Sequence, residues 1–226
     1  MTRESDPAFT VSGMPVPNRM TPEEFAAAAN VSRETLERLK LYAALLEKWN
    51  RRINLVGRGT VDDLWRRHML DSAQLLPLIP ADAKSLVDLG SGAGFPGLVL
   101  AICGVQNVHL IESDRKKCSF LREAARATGV GVTIHNCRIE EIESFQADIV
   151  TSRALAPLPK LLDMAGRFIE KHSILLFLKG KHADRELTDA AKEWNMRIDR
   201  IPSHTDSDGT ILRLEAISRA LHSPKE

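Results

Sequence analysis

The sequence predicts an α/β fold: a mostly parallel, twisted sheet with helices on both faces, a terminal antiparallel hairpin and an N-terminal helical extension. Three observations predict it. Short apolar runs alternate five times with amphipathic segments of helical period from residue 85 onward. The first of those runs ends in a cluster of glycines, the usual exit from a buried parallel strand into a helix. Before residue 80 the apolar residues recur only at helical spacing.

Element by element, residues 1–20 hold Pro7, Pro15 and Pro17 and no apolar period, so a disordered tail is expected there. Thr21-Pro22-Glu23-Glu24 supplies an N-cap, a proline at the first helical position and an acid three residues on, which starts a helix. Ser32-Arg33-Glu34-Thr35 starts a second, longer one, with Leu36, Leu39, Leu41, Leu45, Leu46 and Trp49 along it. A third helical pattern runs from about Val61 to Leu76, and Pro77 and Pro80 end the extension. Strands are expected at 85–89, 108–111, 132–135, 148–151 and 174–178, with helices at 97–103, 115–128, 158–169 and 183–194 between them. Segments 198–202 and 210–217, joined through Ser207-Asp208-Gly209, read as the hairpin. The expected units are thus a tail at 1–20, a helical extension at 21–80, a main domain at 81–219 and a tail at 220–226.

Bulk properties narrow the function classes. The chain has 226 residues, 43% hydrophobic and 27% charged, ordinary values for a globular protein with a sizeable core. No apolar run approaches the roughly 20 residues of a membrane span, and the N-terminus lacks the apolar core of a secretion signal, so a cytoplasmic protein without a membrane partner is expected. The three cysteines, Cys103, Cys118 and Cys137, form no CxxC pair, and free thiols rather than a metal site are expected. Net charge is only +1, but between Arg33 and Arg67 nine basic residues stand against five acidic ones. Arg51, Arg52, Arg66 and Arg67 are therefore candidates for RNA phosphate contact, with a solvated helical face as the other reading.

The strongest chemical signal is Val87-Asp88-Leu89-Gly90-Ser91-Gly92-Ala93-Gly94-Phe95-Pro96-Gly97. A strand–glycine–helix turn brings backbone close to a ligand at the carboxyl edge of a parallel sheet. Glu112, at the end of the second strand, is placed to accept from two ribose hydroxyls. Gly92, Gly94 and Gly97 also fit the dinucleotide pattern G-x-G-x-x-G, so spacing alone leaves a nucleotide cofactor such as NAD open. Asp88 bears on the choice, because an acid ahead of the glycines suits the ammonium of a methionine moiety and repels a pyrophosphate.

The string D-L-G-S-G-A-G-F-P-G, with I-E-S-D, N-C-R-I-E-E, T-S-R-A and L-K-G after it and Trp49-Asn50 and Arg67-His68-Met69-Leu70-Asp71-Ser72 before it, resembles the RsmG (GidB) family. The resemblance covers about Leu36 to Leu214. It implies a Rossmann-like class I methyltransferase that uses S-adenosyl-L-methionine to methylate guanine N7 in the 530 loop of 16S ribosomal RNA, in the small ribosomal subunit or its precursor. It further implies that Gly90 and Phe95 border the methionine part of the cofactor, that Ile139 and Glu140 flank its adenine, and that Arg153 lies beside the pocket. A monomer with no obligate protein partner is expected.

This chemistry asks little of side chains. Guanine N7 carries a lone pair and no proton, so attack on the sulfonium methyl needs no general base, and none is nominated; positioning supplies the catalysis. The chain accordingly lacks an N-P-P-Y tetrapeptide and a P-C nucleophile and carries Ser152-Arg153-Ala154-Leu155-Ala156-Pro157 at the fourth strand's end. There the Arg153 fork can hold a carboxylate or phosphate, or simply pair with Glu112 or Asp114. His68, Asp71 and Ser72, at i, i+3 and i+4, share a helical face and can either close the pocket or make capping bonds. Lys179 and Lys181, after the fifth strand, can steer RNA phosphates or be ordinary surface lysines. Two rivals stay in view: an NAD-dependent oxidoreductase, against which the location of the only tyrosine, Tyr42, in the extension counts, and a non-catalytic rRNA-binding factor with a methyltransferase fold.

Overall fold

The computed structural model describes residues 19–220. Among these, seven strands form one sheet in the order β3-β2-β1-β4-β5-β7-β6. The strands are β1 (Leu86–Leu89), β2 (Val108–Ile111), β3 (Val132–His135), β4 (Ile149–Arg153), β5 (Ile174–Lys179), β6 (Trp194–Pro202) and β7 (Thr210–Arg219). The first five pair in parallel, and β7 joins β5 antiparallel. The order reverses between β1 and β4, which pair with Leu89 opposite Ser152. A crevice outside the carboxyl ends of those two strands is where open α/β sheets bind ligands.

The helices follow from their ends and stripes. Thr21 and Glu24 form a capping box at α1 (Pro22–Ala29), and the Ser32 hydroxyl caps α2 (Arg33–Asn50). Along α2, Leu36, Leu39, Tyr42, Ala43 and Leu46 are buried, the spacing of one apolar face. That face packs on α5 (Gly97–Ile102) and α6 (Arg115–Thr128). The extension's Phe25, Leu39, Tyr42 and Leu46 therefore share one core with Leu86, Leu98 and Phe120 on that side of the sheet. A second core on the opposite face gathers Val87, Leu89, Val150 and Phe177 under α7 (Leu158–Ala165) and α8 (Ala183–Ala190). Period-two alternation puts Val87 and Leu89 on that face and leaves Asp88 on the α5 side.

Three expected elements differ. The third helix is broken into α3 (Arg58–Val61), a π-helical turn at Trp65–Leu70 running into α4 (Asp71–Ala73), and a 3₁₀ turn at Leu76–Leu78. The helix expected to Ile169 stops at Ala165, where the chain turns so that Phe168 is buried and its carbonyl accepts from the Ala147 N–H. The helix expected to Trp194 stops at Ala190, and Trp194 opens β6, a strand lengthened by an irregularity between Asn195 and Arg197. The first helix ends at Gly166, and the second runs toward a strand where amphipathic period and strand alternation overlap for a few residues. The expected tail falls almost wholly outside the described residues; Arg19 and Met20 are described, and the Met20 N–H donates to Asp63. No helix among the described residues is long and apolar enough to cross a membrane.

Candidate functional site

The glycine turn lies at the carboxyl end of β1 and is built from inside. Asp88 is fully buried; its carboxylate accepts from the Gly97 N–H at 3.2 Å and from the Thr151 hydroxyl at 3.1 Å. Burial pushes its pKa up to about 6, and those hydrogen bonds work against the rise. Asp88 thus anchors the first turn of α5 from beneath. Above it the backbone N–H groups of Ser91, Gly92, Gly94, Phe95 and Leu98 all donate within the chain. With an acid on the Gly97 N–H and so few free amides, the start of α5 is a poor seat for a pyrophosphate. That is the physical ground on which the dinucleotide reading fails.

The glycines divide into two kinds. A Cβ at Gly97 would lie 2.5 Å from Leu110 Cδ2 and 2.7 Å from Asp88 Cβ, so the protein's own atoms require that glycine. At Gly92 a Cβ would meet only the Gly90 carbonyl, at 3.9 Å, although φ is +56°. The space above Gly92 is open. Glu112, 8% exposed, flanks it, accepting from the Gly92 N–H at 2.9 Å and the Asp114 N–H at 2.8 Å. Glu112 and Asp114 are therefore not the partners of Arg153. Ile139 is buried in a 3₁₀ turn after β3, with Glu140 exposed beside it.

On the β4 side a cavity of about 670 Å³ opens, lined among others by Thr60, His68, Asp71, Arg153, Lys179 and Thr205. Arg153 is its best-held cation. Its Nη1 donates to the Arg67 carbonyl and to Asp71 Oδ2, both at 3.1 Å, and its Nη2 to His68 Nδ1 at 2.8 Å. Its guanidinium lies 4.9 Å from the centre of the Phe95 ring, and the His68 ring stacks on Phe95 at 4.9 Å. Ala154, next in the chain, takes a left-handed φ of 52°, the kind of strain that collects at functional turns. Leu155 lines the cavity, and its side chain occupies the space a Cβ on Gly90 would need.

The remaining sequence-nominated residues scatter. Ser72 is buried and its hydroxyl donates to the His68 carbonyl, a bond within the turn. Lys179 donates to Glu186 at 2.8 Å and to the Ala156 carbonyl at 2.7 Å, with a side chain only 8% exposed. Arg51, Arg52, Arg67 and Lys181 are exposed, and Arg66 is half-buried beside Asp63. Sequence reasoning missed Thr60, Gln74, Glu186 and Thr205. Asp71 Oδ1 accepts from the Thr205 hydroxyl at 2.7 Å, and Gln74 Oε1 from the His204 N–H at 2.9 Å. These bonds latch the β6–β7 turn onto the extension. No local pattern marks them, since each joins residues more than a hundred apart.

Comparison with known proteins bears on this arrangement. The family model for rRNA small subunit methyltransferase G matches residues 35–207. A ribosomal RNA small subunit methyltransferase G of Paramagnetospirillum magneticum is 58% identical over 91% of this chain and 100% of its own length. That of Rhodospirillum rubrum is 55% identical over 89% of this chain and 100% of its own. Among solved structures, MtNAS bound to S-adenosylmethionine aligns with a TM-score of 0.56 at 14% identity, over 87% of this chain and 84% of that one. A ribosomal protein L11 methylase of Lactobacillus delbrueckii aligns at 0.54 and 13%, over 66% and 76%. At such identities these two speak for the fold alone.

Proposed function

The chain belongs to the rRNA small subunit methyltransferase G family, and from that premise we propose that it moves a methyl group from S-adenosylmethionine to N7 of a guanine in the 530 loop of 16S ribosomal RNA. It is an S-adenosylmethionine-dependent rRNA methyltransferase with a Rossmann-like fold. The observation that carries the residue-level reading is that an open glycine turn and a side-chain-lined cavity lie next to each other at the carboxyl edge of the sheet, with Leu155 lining the cavity and packing on Gly90. One half suits a nucleoside and the other a base.

The residues fit the cofactor. The open space over Gly92, the buried Glu112 carboxylate and the apolar Ile139 are a seat for a ribose and an adenine, with Glu140 at the rim. Gly90 and Phe95 shape the methionine end, Gly94 faces Leu98, Leu121 and Tyr42 inside the turn, and Asp88 supports the turn from below. When bound, the cofactor supplies an electrophilic methyl on a sulfonium. The chain's task is alignment, because N7 presents a lone pair without a proton to remove. Arg153 has five N–H groups and commits three of them within the chain. The Nε–H and one Nη2–H remain for an acceptor, which on this reading is guanine O6, the atom beside N7 on the same base edge. Arg51, Arg52, Arg67 and Lys181 are offered as phosphate contacts, Arg66 and Lys179 more weakly, since each has an acidic neighbour. We assign residues 21–80 as an extension, 81–219 as the catalytic domain, and the protein as a cytoplasmic monomer without an obligate protein partner.

The test is transfer of labelled methyl from S-adenosylmethionine to 16S rRNA and to assembled small subunits, followed by chemical cleavage at N7-methylguanine. One new cleavage in the 530 loop is expected. Methyl incorporation without N7-dependent cleavage would remove the guanine-N7 assignment.

A further inference from the structure

Arg153 is a long side chain with many rotamers, yet three acceptors on three vectors hold it. Two are ordinary, a carboxylate and a carbonyl. The third is an imidazole, and its chemistry is constrained. A guanidinium only donates, so His68 Nδ1 carries its lone pair and the ring proton sits on Nε2. That proton is satisfied 2.9 Å away by Thr60 Oγ1, whose own hydroxyl donates to the Gly57 carbonyl at 2.8 Å. The hydrogen-bond directions are thus fixed from Gly57 to Arg153. The π-helical turn at Trp65–Leu70 aims the ring, which lies flat against Phe95. Burial, and then the charges of Arg153 and Arg67, push its pKa down to about 3, in keeping with an unprotonated ring.

We propose that His68 is a positioning residue: through its Nδ1 lone pair, and with Asp71 and the Arg67 carbonyl, it fixes the plane of the Arg153 guanidinium so that the two unused N–H groups face the acceptor base. Asp71 alone would leave the fork free to swing about one ion pair. With His68 added, the fork is held at both nitrogen ends and pressed on Phe95, the residue that closes the glycine turn. His68 is not a base in this scheme, since both ring nitrogens are engaged and N7 has no proton to give. The proposal rests on the methyltransferase reading for its kinetic consequence but not for its geometry.

Two substitutions separate acceptor from filler. His68→Phe keeps an aromatic ring on Phe95 and removes the lone pair; His68→Asn gives up the ring and returns an acceptor oxygen near the Nδ1 position. In His68→Phe, kcat should fall about 10- to 100-fold, with calorimetric affinity for S-adenosylmethionine within about 2-fold of the parent. His68→Asn should recover most of the loss. Independently of activity, ¹⁵N NMR of the guanidinium should show slow rotation about the Arg153 Cζ–Nη2 bond in the parent and in His68→Asn, and fast averaging about that bond in His68→Phe. Slow rotation persisting in His68→Phe, or His68→Asn no better than His68→Phe in both readouts, overturns the proposal. If the parent transfers no methyl to rRNA the functional reading fails, and the NMR arm alone still decides the role of His68.

Discussion

The two halves of the crevice are built by different means. The half proposed for the cofactor is made of backbone, within Asp88–Gly97 plus the end of β2, and most of its amides are satisfied by the turn or by Ile111 and Glu112 beside it. The half proposed for the acceptor base is made of side chains from segments far apart in sequence: Thr60, His68 and Asp71 of the extension, Arg153 at the end of β4, Lys179 and Glu186 around β5 and α8, and Thr205 of the hairpin. A seat for an invariant cofactor can be a rigid local turn. A pocket that must admit one base of a large RNA draws on tertiary structure instead.

The sharpest way to break this contrast is inside the turn. Gly92→Asp adds a side chain and a charge where the protein itself has open space, so S-adenosylmethionine binding should vanish from calorimetry while the thermal midpoint stays within a few degrees. Gly97→Ala pushes a methyl into Leu110 and Asp88 and should cost about 1–3 kcal/mol of stability by overpacking. If both variants lose stability equally, Gly92 is a structural glycine and the open seat is misassigned. Next in size, Arg153→Ala should lower kcat by about 2 to 3 orders of magnitude, on the scale of losing one preorganised donor. Cofactor affinity should change far less, because the turn does not need the guanidinium. A parallel collapse of affinity would merge the two halves into one.

The halves also titrate in opposite directions. His68 has a folded-state pKa of about 3 against an ordinary 6.5, so the unfolded chain binds the extra proton and stability falls as pH drops below 6.5. Asp88, raised to about 6 from 3.8, binds its proton more tightly when folded, so its contribution is present at low pH and is lost as pH rises through 6. Between pH 4 and 6 the two slopes, each about 1.4 kcal/mol per pH unit at most, nearly cancel. His68→Asn removes one of them. The stability of that variant relative to the parent should therefore climb as pH falls from 6.5 toward 4, read by denaturant unfolding at each pH. A pH-independent difference would mean that His68 is protonated or solvated in the folded state.

The same contrast explains what the sequence made legible. The strand–glycine–helix turn and Glu112 announce themselves because their spacing is local; the place of Asp88 is equally plain but its role is not, since it lies fully buried under the turn, bonded to Gly97 and Thr151, rather than open to an ammonium. The sheet's parallel core was equally plain, since strands buried on both faces, such as β5, are continuous apolar runs. His68 and Asp71 were visible as a pair on one face, but their common partner, Arg153, lies 82 to 85 residues on. Thr205 lies farther still, in a turn whose composition only says turn. The partners of Lys179 are hidden for the same reason: a lysine at a strand's end reads as surface until Glu186 and the Ala156 carbonyl are seen beside it.

The smallest expected effect tests whether the extension serves the cofactor half at all. Tyr42 is buried in α2, its hydroxyl donates to the Ala93 carbonyl in the glycine turn, and its ring packs on Phe95 at 5.5 Å. Burial holds that hydroxyl's pKa well above its usual value, so it stays a donor at any working pH. Tyr42→Phe keeps the ring and deletes one hydrogen bond to a buried carbonyl, a loss of about 1 kcal/mol. If the extension braces the turn, that loss should appear both in thermal stability and as a several-fold weaker affinity for S-adenosylmethionine, because the turn must then be ordered at the expense of binding. If stability alone drops, Tyr42 is only core, and the extension serves the acceptor half alone, through Thr60, Arg67, His68 and Asp71.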